Sequence, residues 1–416
     1  MMGSGAGWKA GMRSWWAVAA WTAVIYATIP LARAIQKWVS GHFGSDAFTW
    51  TVYGLIVISL GVAWRHFSQY HVERSVRARI VLVLLAAVFA YGTWLLRARP
   101  EEALHFVQYG LLSALAYRAF AVSGADRGTY LQAFLLTAIL GSVDEVIQWL
   151  VPKRFFDFRD IAINVIAGGL IQLGLVLGIA PQAGKTRASL ASARTAWKLG
   201  LIWVVLLGFC LNNTQALWRP VLFPGPHLFL FDEPMTEYGH KIQDPEIGSF
   251  YSRFTPKELE AKDAARAPDA AKILAVEGDK KDYASFLVRY SPITDPFMHE
   301  MRVHLYRRDR YLDEALDPRN AKEAVKFFNI AYRENQILER WFGESLRASG
   351  KVWDAGRLDA AAARLQPELY QSPVSQNLIT SFTQWQGQIA WGGLLVVMGG
   401  LRNYDLRRRR EFPGPP

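Results

Sequence analysis

Apolar residues gather into eight runs along this chain, set apart by short polar stretches and one long polar segment. The runs are Ser14–Leu31, Phe48–Trp64, Ile80–Leu96, Leu104–Phe120, Leu131–Val151, Ile161–Ile179, Leu199–Leu217 and the weaker Gln388–Leu401. A helix of roughly 20 apolar residues crosses the hydrocarbon core of a bilayer, so each run predicts a span. The last is short and also fits an interfacial segment. The long polar segment, Arg219–Trp385, reads as helical. Pro256–Ala275 opens on Pro followed by Lys, Glu and Ala, a helix start. Pro296–Leu316, Ala321–Ser349 and Trp353–Leu365 follow, separated by Gly and Pro. The pair Met298–Leu316 and Ala321–Leu346 has no third copy at a fixed period, so no solenoid is predicted. Pro220–Phe254, with Phe223-Pro224-Gly225-Pro226, reads as an irregular strap over the membrane surface.

The predicted fold class is therefore all-α: a polytopic membrane bundle of about eight spans, with a helical domain inserted between the last two. The expected divisions are a transmembrane core over 1–180, a basic loop over 181–198, a span over 199–217, the inserted domain over 218–385, a span over 386–402 and a basic tail over 403–416.

Charge sharpens this division. Arg219–Trp385 holds 23 basic and 25 acidic residues, whereas the rest of the chain holds 24 basic and 11 acidic, so the net +11 belongs to the apolar part. Those basic residues flank spans, as residues holding a topology do, and argue against nucleic-acid binding. Arg65, Arg74, Arg77 and Arg79 mark one loop as cytoplasmic, and Lys185, Arg187, Arg194 and Lys198 mark another four spans later. Lys9 and Arg13 at one end and Arg407 to Arg410 at the other place both termini inside. The inserted domain then lies outside a bacterial plasma membrane. Lys9, the first run and Leu31-Ala32-Arg33-Ala34 follow the order of a cleaved signal peptide, but the run continues without a polar cleavage region. Tryptophans such as Trp15, Trp50, Trp64, Trp203, Trp218 and Trp385 sit at span ends, as interfacial anchors do. The single cysteine, Cys210, lies inside an apolar run and offers neither a disulfide framework nor a cysteine metal site.

Within this topology one set of polar residues converges on the outer face. His105, Gln108 and Tyr109 share one face at the start of the fourth run; Asp144, Glu145 and Gln148 end the fifth. Arg154, Asp157 and Asp160 lie in the next turn and Asn164 stands one turn into the sixth run, with Glu101 and Glu102 ahead of the fourth. A charge facing lipid costs about 2.5–3.5 kcal/mol on insertion scales, so these stripes are expected to face one another. Three accounts stay open. Arg154 and Arg159 neutralise Asp144, Glu145, Asp157 and Asp160 in an internal salt-bridge network, with His105 as a cap. Alternatively, His105 and the carboxylates hold a hard divalent ion, or Arg154 with Lys153 grips a phosphate beside Glu145 or His105 as general acid/base.

The pattern Glu101-Glu102-Ala-Leu-His105-Phe-Val-Gln-Tyr109, then Asp144-Glu145-Val-Ile-Gln148, Pro152-Lys-Arg154-Phe-Phe-Asp157 and Asp160-Ile-Ala-Ile-Asn164 resembles the VanZ-like membrane family over about residues 80–180. The joint occurrence of D-E-x-x-Q, P-x-R-x-x-D and D-x-x-x-N carries the resemblance. An Asp-Lys pair that the family often has ahead of the His is replaced here by Glu101-Glu102, which argues against a Lys-dependent role. The resemblance implies a link to resistance against glycopeptide antibiotics, teicoplanin in particular, and implies no established reaction. The expected partner is a membrane lipid or lipid-linked cell-wall precursor, bound or modified at a polar site formed by His105, Asp144, Glu145, Gln148, Arg154, Asp157, Asp160 and Asn164. The alternative is a scaffold whose outer domain recruits envelope proteins. A transporter is disfavoured, because no paired broken spans are evident.

Two features of the inserted domain complete the reading. His299-Glu300-Met-Arg-Val-His304 puts its histidines five residues apart, about 140° around a helix and off the shared face a zinc protease requires; Glu300 and His304 are expected as a surface pair. Arg307-Arg308-Asp309-Arg310 is expected as a solvated helix face, with lipid headgroups as an alternative contact.

Overall fold

The computed structural model describes residues 4–44, 46–70, 75–97, 99–122, 124–151, 154–179, 181–214 and 234–411. Arg74, Lys153, Trp218 and positions 220–233 of the expected strap lie outside them. Two compact units emerge, Met1–Cys210 with Gln388–Pro416, and Leu211–Gly387.

The first unit is built from helices α1 (Ser4–Thr28), α2 (Ala32–Phe43), α3 (Ala47–Tyr70), α4 (Ser75–Leu95), α5 (Leu104–Ala121), α6 (Arg127–Leu150), α7 (Phe158–Gly174), α8 (Pro181–Lys185) and α9 (Leu190–Asn212). Five helices among the described residues are long and apolar enough to cross a membrane: Ala47–Arg65, Val76–Leu95, Arg127–Leu150, Phe158–Gly178 and Leu190–Asn212. Gly11–Thr28 and Ala32–Phe43 pass the same test only as a pair bent by 72°. These spans fit the expected all-α membrane bundle, and the remaining expected runs differ from them in composition. The first run ends at a bend that turns α2 aside as a separate amphipathic helix. The fourth and eighth runs form helices that are too polar to qualify on composition. For α5 the reason is its position: it packs against α1, α6 and α7, so its polar side chains meet protein.

The core of this unit follows from that arrangement. Tyr109, Leu112, Ala103 and Ala119 on the α5 side pack with Ile163 and Ala167 of α7, Phe89 of α4 and Val52 of α3. Polar side chains within the layer find backbone partners. Ser113 Oγ donates to the Gly168 carbonyl at 3.0 Å, and Gln172 Nε2 donates to the Ser113 carbonyl at 2.9 Å. At the far end, Asp126 caps α6 through Gly128 and Thr129 and also accepts the Ser189 N–H at 2.9 Å, anchoring the start of α9. The last helix, Gln384–Glu411, returns along α9, where Trp391 Nε1 donates to the Val204 carbonyl at 2.8 Å.

The second unit carries the helices Pro256–Glu277, Tyr283–Arg289, Pro296–Leu316, Ala324–Trp341, Gly343–Ala348 and Ala355–Ala362, numbered α10 to α15. A capping box of Thr255 and Glu258 starts α10. The described part of the expected strap is a hairpin: β1 (His240–Asp244) pairs antiparallel with β2 (Gly248–Ser252), and β3 (Tyr370–Gln371) adds in parallel to β2. Ile242, Phe250, Leu259, Phe286, Met301 and Leu338 form its core.

Candidate functional site

The polar end of the first unit is assembled from four helices. A short 3-10 turn, Pro100–Ala103, delivers the chain into α5. The last two turns of α6 bring Asp144, Glu145 and Gln148, all buried, against α5 and α7. Asp157 is the N-cap of α7 and accepts the Arg159 N–H at 2.8 Å; Asp160 follows in the first turn, where the helix dipole favours an acid. Asn164, fully buried one turn on, donates to the Gly141 carbonyl at 3.2 Å. This close approach depends on Gly141, since a Cβ there would lie 2.8 Å from the Asn164 Cβ and 3.2 Å from Tyr109.

The eight expected residues all lie at this end, in unequal roles. Gln148 is the hub: its Nε2 donates to Glu145 at 2.6 Å and to Asp144 at 3.3 Å, and its Oε1 accepts from Arg154. Glu145 also accepts the Asp157 N–H at 3.2 Å. The His105 ring stacks on Tyr109 with centroids 6.0 Å apart. His105 faces Asn164 and Tyr109 faces Asp144. In each pair a ring donor meets an amide or carboxylate acceptor, whereas Asp160 Oδ1 is buried without a hydrogen-bond partner among the described residues.

The expected salt-bridge network does not form as drawn. Arg159 pairs with Glu102 at 2.8 Å and Arg99 pairs with the same carboxylate at 3.2 Å. Arg154 is spent on the amide oxygen of Gln148. The chain geometry explains this: Arg159 follows the α7 cap and points back to the turn ahead of α5, away from the end of α6. Burial and the neighbouring Asp160 raise the Glu102 carboxyl above its ordinary range, against the pull of Arg159 and Arg99. Burial likewise raises Asp157, opposed by the Arg159 N–H. No three His, Cys, Asp or Glu side chains among the described residues converge as a metal set, so the divalent-ion account has no support here.

Three neighbours escape a reading by sequence spacing. Tyr26 of α1 donates to the Leu140 carbonyl at 2.8 Å and lies within electrostatic reach of Asp144. Gln36 of α2 donates to Glu101 at 2.7 Å, and the Arg33 guanidinium lies over the Phe155 ring at 5.6 Å. Apolar runs far apart in sequence carry no signal of these contacts. Packing of α1 on α6 places Tyr26, and the bend before α2 places Arg33 and Gln36.

In the second unit, Glu300 and His304 are fully buried, contrary to a surface pair. Glu334 on the adjacent helix α13 lies 2.6 Å from His304 Nδ1 and accepts from Tyr370 Oη at 2.6 Å, Ser372 Oγ at 2.8 Å and Arg307 Nε at 2.9 Å. Burial pushes the Glu334 carboxyl up, but His304, Tyr370 and Arg307 together hold it below the usual range. Glu300 instead meets Arg253, whose N–H donates to it at 3.1 Å, and burial raises its carboxyl. The basic run is solvated only in part. Arg308 is buried and donates to the Lys351 carbonyl at 2.8 Å, whereas Arg310 is exposed. Packing of α12 on α13 and β3 turns that face inward.

An all-helical membrane bundle, with a buried polar cluster where three helix ends meet, defines the class as an integral membrane protein. Residues 47–180 match the model of the VanZ/LLP1 family, so the chain carries a VanZ-family domain, and the resemblance over 80–180 holds. No curated protein and no solved structure matches the chain.

Proposed function

We propose that this protein of the bacterial plasma membrane binds, or modifies, the polar head of an amphipathic cell-envelope substrate bearing a phosphate, at the end of the bundle formed by α5, α6 and α7. One observation carries this reading: the Arg33 guanidinium lies over the Phe155 ring, Arg154 reaches Gln148 in the same polar end, and neither forms an ion pair with a carboxylate among the described residues. Guanidiniums without a carboxylate partner suit a phosphate, which they grip through parallel N–H donors. A polyprenyl-phosphate-linked or glycopeptide-related substrate fits, since its chain would lie among exposed apolar residues such as Trp38 and Phe43 of α2.

The orientation proposed with it has both termini cytoplasmic and the Leu211–Gly387 unit outside, which sets the cluster at the outer face at the depth of lipid phosphates. The basic loops support it. The test is native mass spectrometry of the whole protein loaded with undecaprenyl phosphate. Retention by the wild type and loss in Arg154→Gln supports the reading. Equal retention in both overturns it and moves attention to a scaffold role.

A further inference from the structure

Helix α2 leaves the bundle in a direction of its own. Helix α1 packs on α5 and α6, and α2 follows it across a bend of 72°. With α1 running among the spans, a turn of that size lays the next helix close to the plane of the bilayer. Two side chains fasten α2 beside the polar cluster: Gln36 Nε2 donates to Glu101 at 2.7 Å, and the Arg33 guanidinium lies over Phe155. No residue of α2 is buried.

Its side chains sort into three edges at helical spacing. Ala32, Gln36 and Val39 are partly covered and face the rest of the unit. Leu31, Ile35 and Trp38 recur on a second edge and are exposed. Arg33 and Lys37, also exposed, share the third, and no Asp or Glu occurs over 32–43. A helix with a protein-facing edge between an apolar side and a basic side has the form of one lying at a membrane surface. The aromatic rings give an independent sign. Exposed Trp38 lies 4.9 Å from the His42 ring and 5.8 Å from the Phe43 ring, the kind of cluster that anchors at headgroup depth. A protein partner fits less well, because the basic edge would have to find acids, whereas a bilayer carrying acidic lipids supplies acyl chains and phosphates together.

We propose that α2 lies in the membrane–water interface and docks on acidic phospholipid, with Leu31, Ile35 and Trp38 sunk to the acyl boundary and Arg33 and Lys37 among the headgroup phosphates. The long stems of both basic residues let their charges reach water-side phosphates while the helix axis stays low. Through Gln36 and Arg33, the same helix holds the rim of the polar cluster, so the lipid surface steadies that end of the bundle. This docking goes beyond the phosphate reading above, and Lys37 has no part in that reading.

The experiment places a nitroxide on Ile35→Cys, Lys37→Cys or Trp38→Cys, each in the whole protein with Cys210→Ala, in nanodiscs of dioleoyl phosphatidylcholine and dioleoyl phosphatidylglycerol. Paramagnetic resonance then compares relaxation by oxygen, which enters acyl chains, with relaxation by a nickel chelate, which stays in water. The labels at 35 and 38 are expected to favour oxygen and the label at 37 to favour nickel. Three labels that all favour nickel put the helix in water and overturn the proposal. Three that all favour oxygen make α1 and α2 one broken span, and a label at 38 reached by neither puts a protein surface there, a second copy included; both overturn it. A second measurement needs no variant. Amides over 32–43 of the wild type should exchange hydrogen about fivefold more slowly in phosphatidylglycerol nanodiscs than in phosphatidylcholine ones, the worth of one basic residue at an anionic surface. Lys37→Gln should narrow that difference. Equal exchange in the two lipids overturns the acidic headgroup, and leaves the retention of undecaprenyl phosphate by Arg154 as a separate question.

Discussion

Glu145, buried near the end of α6, accepts the backbone N–H of Asp157 at 3.2 Å and so ties that helix to the turn that starts α7. An amide in its place keeps an acceptor oxygen for that N–H and removes the carboxyl group. Glu145→Gln is therefore expected to insert in the membrane as wild type does while losing headgroup retention. Membrane fractionation and native mass spectrometry check the two halves separately. Wild-type retention in the variant would remove Glu145 from the site.

Gly141 should tolerate no side chain. A methyl group would meet Asn164 and Tyr109 within van der Waals distance, on backbone held by its own helix. Overpacking of this kind costs about 1–3 kcal/mol. Gly141→Ala is expected to lower the thermal midpoint in detergent, whereas Gly54→Ala, which meets nothing within 4 Å, should leave it unchanged or raised.

Glu334 gathers His304, Tyr370, Ser372 and Arg307 in a space that water does not reach. His304→Ala leaves that carboxylate short of one donor and is expected to destabilise the second unit by about 1–3 kcal/mol or more, as stripping a hydrogen bond from a buried carboxylate does. Denaturant unfolding of the whole protein, followed by tryptophan fluorescence, provides the measure. A change below about 1 kcal/mol would class the contact with surface pairs.

Acid should weaken the second unit through His299. Burial, with the charge of Arg253, pushes its imidazole down to about 3 from an ordinary 6.5, while its Nδ1 faces the Tyr290 carbonyl at 3.0 Å. Between those two values the unfolded chain binds a proton that the folded one refuses. Stability therefore falls as pH drops below 6.5, by up to about 1.4 kcal/mol per pH unit from this group. Glu300, whose carboxyl is raised, contributes with the opposite sign: its share is present in acid and lost as pH rises. Unfolding curves at pH 6.5 and 4.5 should separate less in His299→Asn than in wild type.

Single cysteines introduced at Arg187 and Lys257 test the orientation in a background where Cys210, which is buried, is replaced. A membrane-impermeant maleimide added to intact cells is expected to label Lys257→Cys and spare Arg187→Cys. The reverse pattern would invert the topology and place the polar cluster inside.

Much of this architecture was legible along the chain because a bilayer forces backbone polar groups to be satisfied within each helix. Apolar runs and helices therefore coincide closely, as at Phe48–Trp64 and Leu131–Val151. The site motif was legible too, since spacing within α6 and α7 sets which of Asp144, Gln148, Asp160 and Asn164 share a face. What spacing cannot carry is the partner of each group. Arg159 reaches back to Glu102, Arg154 spends its guanidinium on Gln148, and the bend before α2 brings in Arg33 and Gln36. Likewise, burial of Glu300, His304 and Arg308 follows from α12 packing on α13, a contact between faces that composition alone marks as polar. The sequence by itself determined which segments are helices, which are apolar enough for a membrane and where the VanZ-family motif lies, because those are local properties of a few consecutive turns. Only the tertiary structure decided which charges stay unpaired, because pairing depends on a few ångströms between side chains whose helices are remote in the chain.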